Sequence, residues 1–475
     1  MPIENTLTYV RASRLDQAGL GLSTSGGRSE HPYFFRGYVE NAEQAARALL
    51  AIAEVSRTRY FDPTARLRMK DPVVTSNRTV LRFESFSTCN GVYARLDVDD
   101  DGFEAEWLDW GTTNVDLNEP VRQALAAIAP GEPLRLTVGA ESVEVETLDD
   151  AVVEEKVPLP ERWLRGFAET QLASSTMRPI MTLGPAQARA ALRDLPKLKS
   201  SPRTPWVAFG GTGARMTSLV SEATPCLVGP QRLNAVRHVA RYATGLTVYA
   251  PEQRTRLSLG GSSGRELALQ PSAWVVHMDG ARFTLVVSPE LYRGFSGEGA
   301  VLAALATVDE GHVARVAALL EGQAALEPQV LAEATGLTAN EVRGALAVLG
   351  AAGRTGFDLH TGAFFHRDLP YDRAALADVQ PRLKDAWELV IANTVTAVPG
   401  IKLAWSVRSG DATYTVRFEE EGGLCNCPWF IKHRGERGPC KHVLAAGLVR
   451  DGAVLPTETG GAPVTLGAIE VVDKN

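Results

Sequence analysis

Three of the chain's five cysteines, Cys425, Cys427 and Cys440, fall within 16 residues, and His442 follows two positions after the last. No other feature of the 475 residues constrains folding as tightly. In an extended strand, residues i and i+2 point to one side, so Cys425 and Cys427 present two thiolates to one point. Leu403-Ala-Trp-Ser-Val-Arg and Tyr414-Thr-Val-Arg-Phe-Glu alternate like a hairpin before them, and Val443-Leu-Ala-Ala-Gly-Leu-Val reads as a short apolar helix after them. Cys440 then stands at a helix N-terminus, where the helix dipole favours thiolate. With His442 in the first turn, the four donors suit one tetrahedral Zn2+, and four protein ligands leave no open position, so the metal is expected to be structural. His433, in the connecting loop, is the second choice for the fourth ligand.

The pattern Cys-x-Cys-x12-Cys-x-His, after a hairpin and before a helix, with Cys427-Pro and Cys440-Lys-His as they stand here, resembles the SWIM-type zinc finger. The resemblance implies a ββα fold, with zinc-ligand roles for Cys425, Cys427, Cys440 and His442. It also implies a module that binds DNA or proteins and no particular reaction. More loosely, the whole chain is similar to bacterial SWIM zinc finger family proteins. The motif spans about a tenth of the chain, so the rest has to be read by itself.

That rest predicts an α+β multidomain chain, composed of two α+β blocks, a winged-helix-like domain and the C-terminal finger. The first block covers 1–155, where Glu43–Val55 has helical spacing and Leu81-Arg-Phe-Glu-Ser-Phe and Tyr93-Ala-Arg-Leu-Asp-Val alternate like strands with one buried face. Val157-Pro-Leu-Pro-Glu marks the boundary to a second block, 156–297. Phe35-Arg-Gly-Tyr, Leu164-Arg-Gly-Phe and Tyr292-Arg-Gly-Phe form a faint repeat, with Arg36, Arg165 and Arg293 spaced 129 and 128 residues apart, which points to duplication of one unit. Residues 298–372 follow the order of a winged helix: Thr338 and Glu341 form a capping box, Val342, Ala345, Leu346 and Leu349 share a face, and a hairpin turns at Thr361-Gly362. The outer face of that helix offers Asn340, Arg343, Gly344 and Ala347, too few cations for base readout, so a structural or protein-contact role ranks ahead. A connecting helix in 373–400, the finger in 401–452 and a tail in 453–475 complete the chain.

Charge is unevenly spread. Cys425–Arg450 carries +4, from Lys432, Arg434, Arg437, Lys441 and Arg450 against Glu436, and the remainder carries −11. Lys432, Arg434, Arg437 and Lys441 beside Trp429 form a candidate surface for nucleic acid, DNA foremost, or for an acidic protein. The expected function is a zinc-binding intracellular adaptor, with a pure protein-interaction scaffold as the alternative. Catalysis is not expected; its best candidates are Cys89 as nucleophile, His31 as base and Asn114 as orienter. No run reaches the roughly 18 apolar residues of a membrane helix, Glu4 stands where a signal peptide would be basic, and the cysteines are too few for a disulfide framework. These point to a cytoplasmic protein with no membrane partner.

Overall fold

The computed structural model describes residues 14–16, 19–21, 32–60, 72–157, 159, 161–210, 213–252, 268–320, 323–367, 369, 380–419 and 422–452. The expected tail and His31 lie outside the described residues. Tyr33–Val39 (β1) leads into Ala42–Arg57 (α1), whose Leu49 and Ile52 are buried as their helical spacing requires. Val73–Asn77 (β2), Val80–Phe86 (β3), Val92–Asp99 (β4), Phe103–Leu108 (β5) and Trp110–Asn114 (β6) follow. Glu119–Ala127 (α2), Arg135–Gly139 (β7), Ser142–Glu146 (β8) and Ala151–Glu155 (β9) complete the first block. A five-stranded antiparallel sheet runs β9-β8-β7-β1-β5.

The second block begins with Glu161–Ser175 (α3), Met177–Leu183 (β10) and Pro185–Asp194 (α4). Trp206–Gly210 (β11) and Gly213–Thr217 (β12) form a small hairpin, and Gly245–Pro251 (β13), Ser272–Met278 (β14) and Ala281–Val287 (β15) follow. Apart from that hairpin, the strands of this block do not make a sheet of their own. A single eight-stranded sheet runs β10-β13-β14-β15-β4-β3-β2-β6, and β15 pairs with β4 across seven positions, from Ala281 opposite Val98 to Val287 opposite Val92. The two expected α+β blocks therefore share one layer, because either half alone would leave a central, buried strand with an unpaired edge. The proline-flanked segment is no free linker either: Val157 N–H donates to the Asn114 carbonyl and Leu159 is fully buried.

The Arg-Gly-aromatic repeat also dissolves. Arg36 lies in a strand, Arg165 in α3 and Arg293 in a loop, so three copies of one motif adopt three conformations. What they share is a glycine with no room for a Cβ, which would collide with the Glu104 carbonyl at Gly37, the Asn90 side chain at Gly166 and the Cys89 carbonyl at Gly294.

The large sheet is covered on both faces. Against one lie α1, α4 and the 3-10 turns of 230–238, packed on Leu81, Phe83, Leu96, Phe283 and Trp274. The other face was expected to meet solvent, since Arg82, Glu84, Arg95 and Asp97 alternate with the apolar positions. It is instead buried beneath α3 and the hairpin of Thr355–Asp358 (β16) and Ala363–His366 (β17). Arg95 holds Asp97 at 2.7 Å and Asp358 of β16 at 2.9 Å; Arg82 reaches Asp97 at 2.9 Å and Arg282 reaches Asp358 at 3.4 Å. Arg367 pairs with Glu84 at 2.8 Å, which also accepts from the Tyr93 hydroxyl at 2.6 Å. The Phe365 ring lies under the Arg82 guanidinium at 4.1 Å.

Leu302–Thr307 (α5), Glu310–Leu320 (α6), Pro328–Thr335 (α7) and Ala339–Ala351 (α8) precede that hairpin. The capping box forms as expected: Glu341 N–H donates to Thr338 Oγ1 at 3.3 Å, and Thr338 N–H to Glu341 Oε2 at 2.7 Å. The outer face expected of α8 is half covered. Ala347 is buried, Gly344 abuts Val308, and α3 lies along the helix, with the Gln171 amide donating to the Leu346 carbonyl at 2.8 Å. Among the described residues no helix is long and apolar enough to cross a membrane.

Pro381–Ile391 (α9) is the expected connecting helix, ending before Val395. The finger exceeds a ββα unit. Val395–Ala397 (β18), Ala404–Ser409 (β19), Ala412–Glu419 (β20) and Gly422–Cys425 (β21) form a four-stranded antiparallel sheet in chain order, followed by Pro428–His433 (α10) and Lys441–Arg450 (α11). Its core is continuous with α3, α5 and α9, so the finger is docked on the body rather than tethered to it.

Candidate metal centre

Strand β21 ends at Cys425, opposite Val416, and the chain stays extended through Cys427, which caps α10 by accepting the Phe430 N–H on Sγ at 3.3 Å. The Cys427 N–H points at Cys425 Sγ at 3.4 Å. After twelve residues, Cys440 occupies the N-cap of α11 and His442 its first turn. Cys425, Cys427, Cys440 and His442 are all buried, and their donor atoms lie within 4.8 Å of one another. His442 Nδ1 faces Cys425 Sγ at 3.8 Å and Cys440 Sγ at 4.0 Å. Zinc bonds near 2.3 Å to sulfur and 2.0 Å to nitrogen put tetrahedral donors roughly 3.5–3.8 Å apart, so the four residues fit one zinc ion. The Tyr414 ring stacks on the imidazole at 4.4 Å and sets its plane, while His442 Nε2 is buried and meets no hydrogen-bond partner among the described residues. His433 is not in the cluster; its ring leans on Trp429 at 4.8 Å.

The helix N-terminus does not by itself make Cys440 a thiolate. Hydrogen bonding to Cys425, together with burial, pushes its thiol up to about 11, and hydrogen bonding to Cys440 with burial pushes Cys427 up to about 12. The cation has to displace these protons when it binds.

The cationic patch is divided by the fold. Arg437 turns inward and donates to the Gly297 carbonyl at 2.7 Å; Lys441 pairs with Asp385 at 3.2 Å; Arg450 stacks on Phe418 at 4.2 Å and pairs with Asp451 at 2.5 Å. Trp429 is half-buried beneath the Arg382 guanidinium at 4.9 Å. Lys432 is exposed and Arg434 half-buried, and among the described residues neither meets a carboxylate. Two residues beyond the reach of sequence reading grip the zinc loop from the body, Arg293 and Arg382, which donate to the Glu436 and Arg437 carbonyls at 2.6 Å each. Arg293 was visible as part of a repeat, but its partner lies 143 positions away and no local pattern marks it.

Beneath this junction, Glu169 of α3 accepts from the Ala300 and Val301 N–H groups at 3.1 and 3.3 Å. Burial, with Glu298 nearby, pushes its carboxyl up to about 8 from 4.5. A carboxyl raised in the folded state contributes stability that is fully present below its unfolded pKa and lost as pH rises through the folded value. The thermal midpoint is therefore expected to fall between pH 5 and pH 8 and to level off above that, and Glu169→Gln to flatten the fall; calorimetry across the range checks it.

Of the catalytic candidates, Cys89 and Asn114 are among the described residues. Ser87 Oγ accepts from the Gly91 and Val92 N–H groups at 3.2 and 3.0 Å, and shapes a turn in which Asn90 adopts φ +58°. Cys89 lies in that turn, 3.4 Å from Ser87 Oγ. Asn114 sits on β6, two strands beyond the one that leads into the turn, and its amide donates to the Val157 carbonyl.

No curated protein matches the chain. Among solved structures it is similar to Proliferating Cellular Nuclear Antigen from Entamoeba histolytica, at 12% identity and TM-score 0.33, over 54% of this chain and 99% of that one. It is similar also to the PCNA2-PCNA3 complex from Sulfolobus tokodaii, at 10% identity and TM-score 0.35, over 54% of this chain and 98% of that one. Residues 414–448, which hold all four clustered ligands, match the family model of the SWIM zinc finger.

Proposed function

We propose that the chain is a zinc-stapled adaptor whose finger binds a protein partner, and that it catalyses no reaction. The observation that carries this is that Arg437 turns inward while Lys441 and Arg450 already pair with carboxylates at the surface, which leaves Lys432 and Arg434 beside the exposed Ile431. Two cations of the patch with no carboxylate partner among the described residues give a polyanion little grip, because affinity for nucleic acid rises with each phosphate neutralised. A small basic patch with an apolar neighbour suits an acidic protein surface. The engagement of Ser87 and Asn114 in backbone hydrogen bonds supports binding over catalysis. In the same reading, the winged-helix-like domain expected over 298–372 is used for packing, with its hairpin laid on the sheet and Ala347 covered.

The test is a titration of the zinc-loaded chain with random single- and double-stranded DNA and RNA across a salt series, beside the Lys432→Glu/Arg434→Glu double variant. The expected result is no nucleic-acid binding at physiological salt, and loss in the variant of a protein captured by the wild type. Salt-sensitive binding whose slope flattens in the variant would replace this reading with a nucleic-acid one, DNA foremost.

A further inference from the structure

We infer that Arg293 and Arg382 are positioning residues of the metal centre, coupling zinc binding to the docking of the finger on residues 295–301. The twelve residues between Cys427 and Cys440 include three left-handed positions, Arg434, Gly435 and Gly438, at φ +49°, +77° and +73°. A loop of that shape lacks a regular ladder, so its carbonyls need donors from elsewhere. Arg382 of α9 supplies them: Nη1 donates to the Arg437 carbonyl at 2.6 Å and the Pro439 carbonyl at 3.1 Å, and Nη2 to the Glu298 carbonyl. The Pro439 peptide is bonded directly to Cys440, so this guanidinium fixes the backbone that carries a zinc ligand. Arg293 donates to the Glu436 carbonyl at 2.6 Å and is itself aimed by an ion pair with Glu298. A planar fork that spans two carbonyls holds geometry in a way a single ammonium does not.

The contact is reciprocal. Arg437 donates to the Gly297 carbonyl at 2.7 Å, and Gly438 passes so close to Gly299 that a Cβ would collide with its carbonyl. Residues 300 and 301 are then held by Glu169 on α3. A chain of direct hydrogen bonds therefore runs from the ligand loop, through Arg382 and the 297–301 backbone, to the helix beneath the large sheet. Coupling of this kind works both ways: whatever zinc adds to docking, docking adds to zinc affinity.

Two measurements on the full chain test it. Hydrogen exchange with and without zinc is expected to show residues 295–301 exchanging at least tenfold faster when the metal is stripped. Competition for zinc with a chromophoric chelator is expected to show Arg382→Ala and Arg293→Ala each binding about tenfold or more weakly, the range for lost outer-shell partners. Arg382→Lys should recover part of that loss, and Arg408→Ala, on the exposed outer face of β19, should bind as the wild type does. Equal exchange of 295–301 in both metal states would overturn the inference, as would unchanged zinc affinity in Arg382→Ala. The exchange comparison needs no variant, so it stands even if an arginine variant fails to fold.

Discussion

Cys427→Ser is expected to abolish zinc binding and to strip residues 414–448 of their protease resistance. The substitution separates two roles, because serine is a good N-cap and can still accept the Phe430 N–H that Cys427 now receives. What it removes is one of four ligands. In small zinc domains the metal contributes roughly 10 kcal/mol or more, and binding free energy is folding free energy. A four-stranded sheet with two short helices has only a small core of its own, with Val407, Val416, Phe430, Val443, Leu444 and Leu448 among its buried apolar residues, so the ion supplies much of the finger's stability. Metal analysis of the purified variant and limited proteolysis read the outcome. One zinc per chain with unchanged resistance would mean that Cys427 is not a ligand.

The second large effect is expected at Asp358. This carboxylate is 2% exposed and faces Arg95, Arg82 and Arg282, with its own turn capped by a bond from His360 N–H at 3.0 Å. Burial alone would raise its pKa, but the three guanidiniums outweigh that and hold the carboxyl well below the usual range. Asp358→Asn leaves one buried positive charge uncompensated, at a cost of about 3–5 kcal/mol. A group depressed in this way contributes stability present above its unfolded pKa and lost as pH falls below it. The variant should therefore show a lower urea midpoint at pH 7 and a smaller further loss as pH falls from 4 to 2. An unchanged midpoint would show that the hairpin is held by Phe365 packing alone.

The two predictions differ in how visible their residues were. The zinc ligands were legible because metal chemistry imposes donor types and local spacing, and 18 residues of chain contain the whole set. The capping box and the hairpin turn at Gly362 were legible for the same reason, since each closes within four or five residues. The Asp358 cluster was not: Arg82 and Arg95 come from β3 and β4, Arg282 from β15 more than 180 positions further on, and in sequence they read as the solvated face of ordinary strands. The basic patch was legible as composition and misleading as surface, because Arg437 and Lys441 meet Gly297 and Asp385, which no local pattern connects to them.

By itself the sequence determined the metal, its ligands and most of the local elements, all of which depend on side chains a few positions apart. Only the tertiary structure decided that the two N-terminal blocks share one sheet, that its charged face is interior, and that the finger is clamped to the body by Arg293 and Arg382. Those depend on pairings across hundreds of residues. An arginine that faces water and one that faces a buried carboxylate are the same letter until the chain has folded.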